Sequence, residues 1–152
     1  MKKLTGLLLV LFFLLFSCSN YIVPEDSDSD YPTFTNLDDL YTWIEENMTY
    51  CIDSKQYGKE DYWAYPIETM QSKKGDCEDI AFLIGRLIKV SNLGEYDYVL
   101  ESDNLSYGLH MEVYYKPTNT YLNLTYKANK PQQLFMRYYT QKDINDRMPN
   151  HR

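Results

Sequence analysis

Cysteine is scarce in this chain, three in 152 residues, and histidine scarcer still, with two. So few thiols exclude a framework of several disulfides. Basic residues are also short: 15 Lys and Arg stand against 22 Asp and Glu, a net charge of −7. A nucleic-acid binder needs a basic face for the phosphates, and an anionic bilayer surface makes the same demand. Both are excluded as electrostatic partners. Long apolar runs are missing as well. Leu4 to Phe16, broken by Thr5 and Gly6, falls short of the roughly 20 residues that a membrane-spanning helix needs. No internal repeat is visible. Tyrosine, in contrast, is abundant: 16 large, rigid side chains with a polar tip suit the core and cleft of a small domain.

The chain divides into four parts. Lys2 and Lys3, the short apolar run and Leu15-Phe16-Ser17-Cys18 read as a secretory signal over residues 1–17. A Cys at the cut resembles the lipobox of bacterial lipoproteins, although Phe16 is bulky for it. That resemblance implies a lipidated Cys18 and an envelope location, membrane attachment resting on the lipid. Residues 18–35 hold Pro24-Glu25-Asp26-Ser27-Asp28-Ser29-Asp30, an acidic, serine-rich stretch read as a disordered tether. The folded domain is expected over 36–145, and 146–152 is a tail.

Within the domain, Leu37, Leu40, Tyr41, Ile44 and Met48 fall at helical spacing after Asn36, a good N-cap. Residues 51–74 read mostly as loop. A second helix begins at Asp76, with Glu78 and Asp79 in its positive first turn and Ile80, Leu83, Ile84, Leu87 and Ile88 as an apolar face. Asn92 or Gly94 ends it. The period then changes to two through Tyr96-Leu100, Leu109-Val113 and Leu122-Leu124, with a turn at Lys116-Pro117-Thr118-Asn119. Helices followed by two or three antiparallel strands make an α+β domain.

Cys77 opens the second helix, behind Gly75-Asp76. A helix N-terminus favours the thiolate, and the Cys77 backbone N–H is free there to bind an oxyanion. Gly75 lets the chain approach a substrate closely. Asp76, Glu78 and Asp79 work against a thiolate, so a cationic partner is required. With His151 in the tail, His110 is the candidate. Opposed residues in an antiparallel pair have a constant index sum. For a two- or four-residue loop at Lys116-Asn119 that sum is odd, as it is for His110 and Asn123. The two therefore share a face, opposed or diagonal. An Asn beside the imidazole can accept the ring N–H and fix its orientation. The plain alternative for Cys77 is a disulfide to Cys51.

Trp63-Ala64-Tyr65-Pro66-Ile67-Glu68-Thr69-Met70, then Gly75-Asp76-Cys77-Glu78-Asp79-Ile80-Ala81, resemble the bacterial transglutaminase-like cysteine peptidases. Gly108-Leu109-His110 and Leu122-Asn123-Leu124-Thr125 match that family's later blocks in order and spacing. The resemblance implies a papain-like core, the Cys helix packed on a small antiparallel sheet. It implies a thiol hydrolase acting on peptide or side-chain amides through Cys77, His110 and Asn123, with Trp63 or Gln71 assisting the oxyanion and a protein or peptide as substrate. No cofactor follows from the residues; calcium follows from the resemblance alone, since Asp76, Glu78 and Asp79 read first as helix-start residues. The family usually carries Asp where this chain has Asn123, which removes a charge beside the imidazole. Two other outcomes share the fold: acyl transfer to an amine at the same site, and an inactive partner-binding scaffold.

Overall fold

The computed structural model describes residues 26–102, 110–124, 126–128 and 135–148. The expected leader and Cys18 lie outside the described residues. The chain forms helix α1 (Leu37–Asn47), strand β1 (Thr49–Tyr50), a short helix α2 (Asp53–Gln56), α3 (Pro66–Ser72), β2 (Lys74–Gly75) and the long helix α4 (Cys77–Val90). Then come β3 (Tyr96–Ser102), β4 (His110–Tyr115), β5 (Thr120–Asn123), β6 (Tyr126–Ala128), β7 (Phe135–Tyr139) and α5 (Gln141–Arg147).

The position of Cys77 depends on α4. Ile80, Ala81, Phe82, Leu83, Ile84, Leu87 and Ile88 are each exposed by 1% or less. A helix apolar around most of its circumference must be surrounded, and this one is. It packs against α1 through Leu40, Tyr41 and Ile44, beside Ile67 of α3, and against the sheet through Tyr98, Met111, Val113 and Leu122. Each large side chain so buried contributes about 1.5–3 kcal/mol. Gly85 interrupts the helix for a steric reason, since a Cβ there would overlap the Tyr98 hydroxyl and the Tyr96 ring. The helix stops at Ser91, where Asn92 (φ 51°) and Gly94 (φ 143°) take up conformations a helix does not allow.

The main sheet is antiparallel, ordered β6-β5-β4-β3-β7. Tyr115 opposes Thr120, and Asn119 closes the loop between them with φ 53°. The sheet is wider than the two or three strands read from the period, because β6 and β7 extend it at either edge. A second, two-stranded parallel ladder joins Thr49 to Lys74 and Tyr50 to Gly75. It ties the exit of α1 to the residues just before Cys77.

Two expectations change. Residues 51–74 hold two helices rather than mostly loop; α2 and α3 are too short to show a 3.6-residue period. The tether expected through residue 35 is anchored at Tyr31, while residues 26–30 stay exposed. Tyr31 is 5% exposed and belongs to the core, with the Arg86 guanidinium over its ring. Arg86 also pairs with Asp26 at 3.1 Å and Asp28 at 2.8 Å. Acidic composition signalled disorder, but a partly buried arginine uses those acids as partners.

Candidate active site

Cys77 is the first residue of α4 and lines an open cleft of about 520 Å³. Trp63 walls the cleft, its ring set edge-on to Phe82 at 5.4 Å. Tyr50, Leu100 and Met111 supply the remaining apolar surface, and Asp53, Glu60, Asp61, Asp76 and Glu78 the polar surface. Among the described residues no lysine or arginine lines it. Gln71, expected near the oxyanion, is exposed on α3 and is not among the lining residues. Cys51 and Cys77 are both free thiols, so the disulfide alternative is not realised.

His110 and Asn123 do meet. Met111, Val113 and Tyr115 of β4 turn toward the core, and His110 and Glu112 occupy the alternate positions. The β4–β5 register continued by one rung sets Asn123 against Glu112, diagonal to His110. Asn123 Nδ2 lies 2.9 Å from His110 Nε2 and donates to Glu112 Oε1, also at 2.9 Å. Glu112 Oε1 is 3.7 Å from His110 Nε2. The His110 ring is half-buried, whereas Asn123 and Glu112 are buried.

Cys77 reaches this group through the backbone. The Met111 amide, one peptide bond from His110, favours its thiolate form. The Cys77 thiol donates to Glu78 Oε2 at 3.0 Å. Among the described residues no hydrogen bond joins Cys77 to His110.

Carboxylates cluster beneath the thiol. Asp53, Asp76 and Asp79 each offer an oxygen within 4.8 Å of the others, and Asp53, Asp61 and Glu78 form a second such group. Asp79 and Asp53 are 0% and 2% exposed. Asp79 Oδ1 accepts from the Ala64 N–H at 2.8 Å, and Asp53 Oδ2 accepts from the Tyr62 N–H. Asp53 Oδ1, Asp76 Oδ1 and Asp79 Oδ2 have no hydrogen-bond donor among the described residues. Asp76 stands at the N-cap position of α4 without making the side-chain capping bond. Gly75 serves this cluster, because a Cβ there would meet the Asp79 side chain. Its smallness makes room for a buried acid, where the sequence reading gave it to substrate approach.

The family model for the transglutaminase-like domain matches residues 32–149. The chain belongs to the transglutaminase-like domain family. Among solved structures it is similar to Legionella pneumophila LapG, at 18% identity and a TM-score of 0.54, over 71% of this chain and 68% of that one. A second LapG structure, EGTA-treated, gives 18% identity and a TM-score of 0.44 over 68% of this chain and 54% of the other. No curated protein matches the chain at a significant level. The likeness to LapG establishes a mixed fold with a central helix on a small antiparallel sheet, the α+β class expected from the sequence.

In this transglutaminase-like domain the electrostatics of the thiol run against the sequence reading. Burial pushes the Cys77 thiol well above its ordinary value, Glu78 and Asp76 push it further, and the Met111 amide opposes them. Burial also holds the His110 imidazole below its usual value. Both directions favour the uncharged thiol and the uncharged ring over the ion pair that a helix N-terminus alone would suggest. Two residues escaped the sequence reading. Glu112 was legible in principle, since it has the parity of His110 on the same strand. Asp53 gave no signal, lying far ahead of Cys77 in the chain.

The cluster makes stability depend on pH. Burial foremost raises Asp53 to about 6, Asp76 to about 7 and Asp79 to about 8, with neighbouring carboxylates adding to each. In the unfolded chain a carboxyl titrates near 4. The folded state therefore holds protons that the unfolded state has released, and stability falls as pH rises from about 4 to about 8. Thermal unfolding in the presence of a chelator should give a higher Tm at about pH 5.5 than at pH 8. Asp79→Asn should flatten the slope; an equal slope in wild type and variant contradicts the burial of this acid.

Proposed function

We propose that this chain is an envelope-anchored thiol hydrolase that cleaves peptide or side-chain amides, with Cys77 as nucleophile, His110 as base and Asn123 orienting the ring. The observation that carries the reading is the placement of Cys77 at the start of α4 and on the wall of a cleft that Met111, the neighbour of His110, also lines. Attack begins when the thiol leaves Glu78 and its proton passes to the imidazole. The sulfur then bonds to the amide carbonyl carbon, and the backbone N–H of Cys77 receives the oxyanion. Collapse breaks the C–N bond, the imidazolium returns its proton to the departing amine, and an acyl thioester remains. Water, deprotonated by His110, releases the acid and restores the thiol. An amine in place of water would give acyl transfer at the same site. The Cys77–Glu78 bond favours a second reading, a resting scaffold that binds a partner without turnover.

Asp53, Asp76 and Asp79 fit a hard cation by their oxygen donors, their closeness and their unsatisfied oxygens. By family resemblance that cation would be calcium, and Asp61 and Glu78 stand ready to complete the set. Once bound it would supply positive charge to offset the carboxylates beside the nucleophile.

Two experiments test the reading. With an unfolded protein such as casein as substrate, in buffer containing calcium, new amines should accumulate. Cys77→Ala should lower the rate by about 10³-fold or more, His110→Ala by about 10²–10⁴-fold, and Asn123→Ala by less. Labelled-amine incorporation without release of new amines would favour acyl transfer; loss of neither activity in Cys77→Ala refutes the assignment. For anchoring, the intact mass of protein extracted from membranes should show Cys18 as an acylated N-terminus. A mature chain starting elsewhere, or lacking acyl mass, refutes it.

A further inference from the structure

Glu112 is fully buried, on the strand that carries His110, and its Oε1 lies 3.7 Å from the ring nitrogen Nε2. A carboxylate at a buried strand position displaces a side chain that would pack at no electrostatic cost, so its contacts explain why it is there. One such contact is Asn123. The Nδ2 group has two hydrogens and lies 2.9 Å from both Glu112 Oε1 and His110 Nε2. Nδ2 donates one of them to Glu112 Oε1. The other points at Nε2. That nitrogen must then present its lone pair, and the proton of the neutral ring resides on Nδ1.

We propose that Glu112 is a positioning residue: through the Asn123 amide, its carboxylate decides which nitrogen of His110 carries the proton. This rests on the reading of His110 as the base for Cys77, which it deepens. Asn123 engages Nε2, so Nδ1 is the nitrogen left for the thiol. While Nδ1 is protonated the ring is a donor there and not a base. Proton abstraction requires the Nδ1 proton to leave to solvent, a solvent proton to take its place on Nε2, and the Asn123 amide to turn so that Oδ1 accepts the Nε2 hydrogen and Nδ1 is freed. An aspartate at position 123 would accept from Nε2–H directly. An asparagine held by a glutamate reverses that polarity. Asn123 and Glu112 thus act as a pair.

The chain has two histidines, so its imidazole spectrum is simple to assign. The full chain, labelled with ¹⁵N, is examined by long-range ¹H–¹⁵N correlation above the ordinary imidazole value of about 6.5, and His151→Gln identifies the signals of His110. Wild type should show Nε2 as the bare nitrogen and Nδ1 as the protonated one. Glu112→Gln offers either an oxygen or an NH₂ to Asn123, so the population should move toward Nε2–H. The double variant Glu112→Gln, Asn123→Asp should be wholly Nε2–H. A wild-type ring in the Nε2–H form overturns the proposal even if no variant folds. An unchanged tautomer in a folded Glu112→Gln protein overturns it too. Because the spectrum is read on the resting protein, its outcome does not depend on turnover. Failure of the hydrolase reading would show instead in the activity of Cys77→Ala.

Discussion

Buried negative charge at the start of α4 is the constraint around which this domain is built. Asp53, Asp76, Glu78 and Asp79 are all held above the usual carboxylate range, burial being the first cause for each. Desolvating a carboxylate costs several kcal/mol unless donors or a cation compensate. Backbone amides of Tyr62 and Ala64 compensate in part. The remainder is borne by the apolar length of α4, whose buried Ile, Leu and Phe side chains each contribute about 1.5–3 kcal/mol. Packing holds the helix on the sheet, and the helix holds the acids together at its end. Cys77 sits among them.

The sheet provides the second half of the site by register alone. A four-residue connection at Lys116-Asn119 sets Tyr115 against Thr120, and every pair further along the ladder follows. His110, Glu112 and Asn123 are thereby brought onto one face. A slip of one residue would turn Asn123 to the other face and leave Glu112 buried without that partner. The same connection that closes the hairpin therefore fixes the hydrogen bonding of the imidazole.

Much of this was legible in the sequence, for reasons that differ by element. The apolar positions from Ile80 to Ile88 give α4 directly, because a helix buried on most sides must be apolar on most sides. The shared face of His110 and Asn123 follows from parity, which needs only an odd index sum and survives uncertainty in loop length. Asp53 was not legible, because its closeness to Asp76 and Asp79 is made by the β1–β2 ladder, two residues long in each strand. Tyr31 was masked by its acidic neighbours, whose partner Arg86 lies far along the chain. Glu112 was hidden by the rule that polar residues on alternating strands face water; here the polar face is enclosed. The thiol's ionisation was read as a contest between the helix N-terminus and the neighbouring acids, and the burial of Cys77, the largest influence on it, was not visible.

The protonation of Cys77 is therefore the quantity on which the account turns. It is measured by the pH dependence of iodoacetamide alkylation on the full chain in a chelator, with the Cys77 peptide resolved by mass spectrometry from that of Cys51. If the buried carboxylates govern the thiol, the midpoint lies above the ordinary value of about 8.5, and Glu78→Gln lowers it. A midpoint between about 3.5 and 7.5, the range of thiolates paired with a cation, unchanged by Glu78→Gln, would contradict that claim.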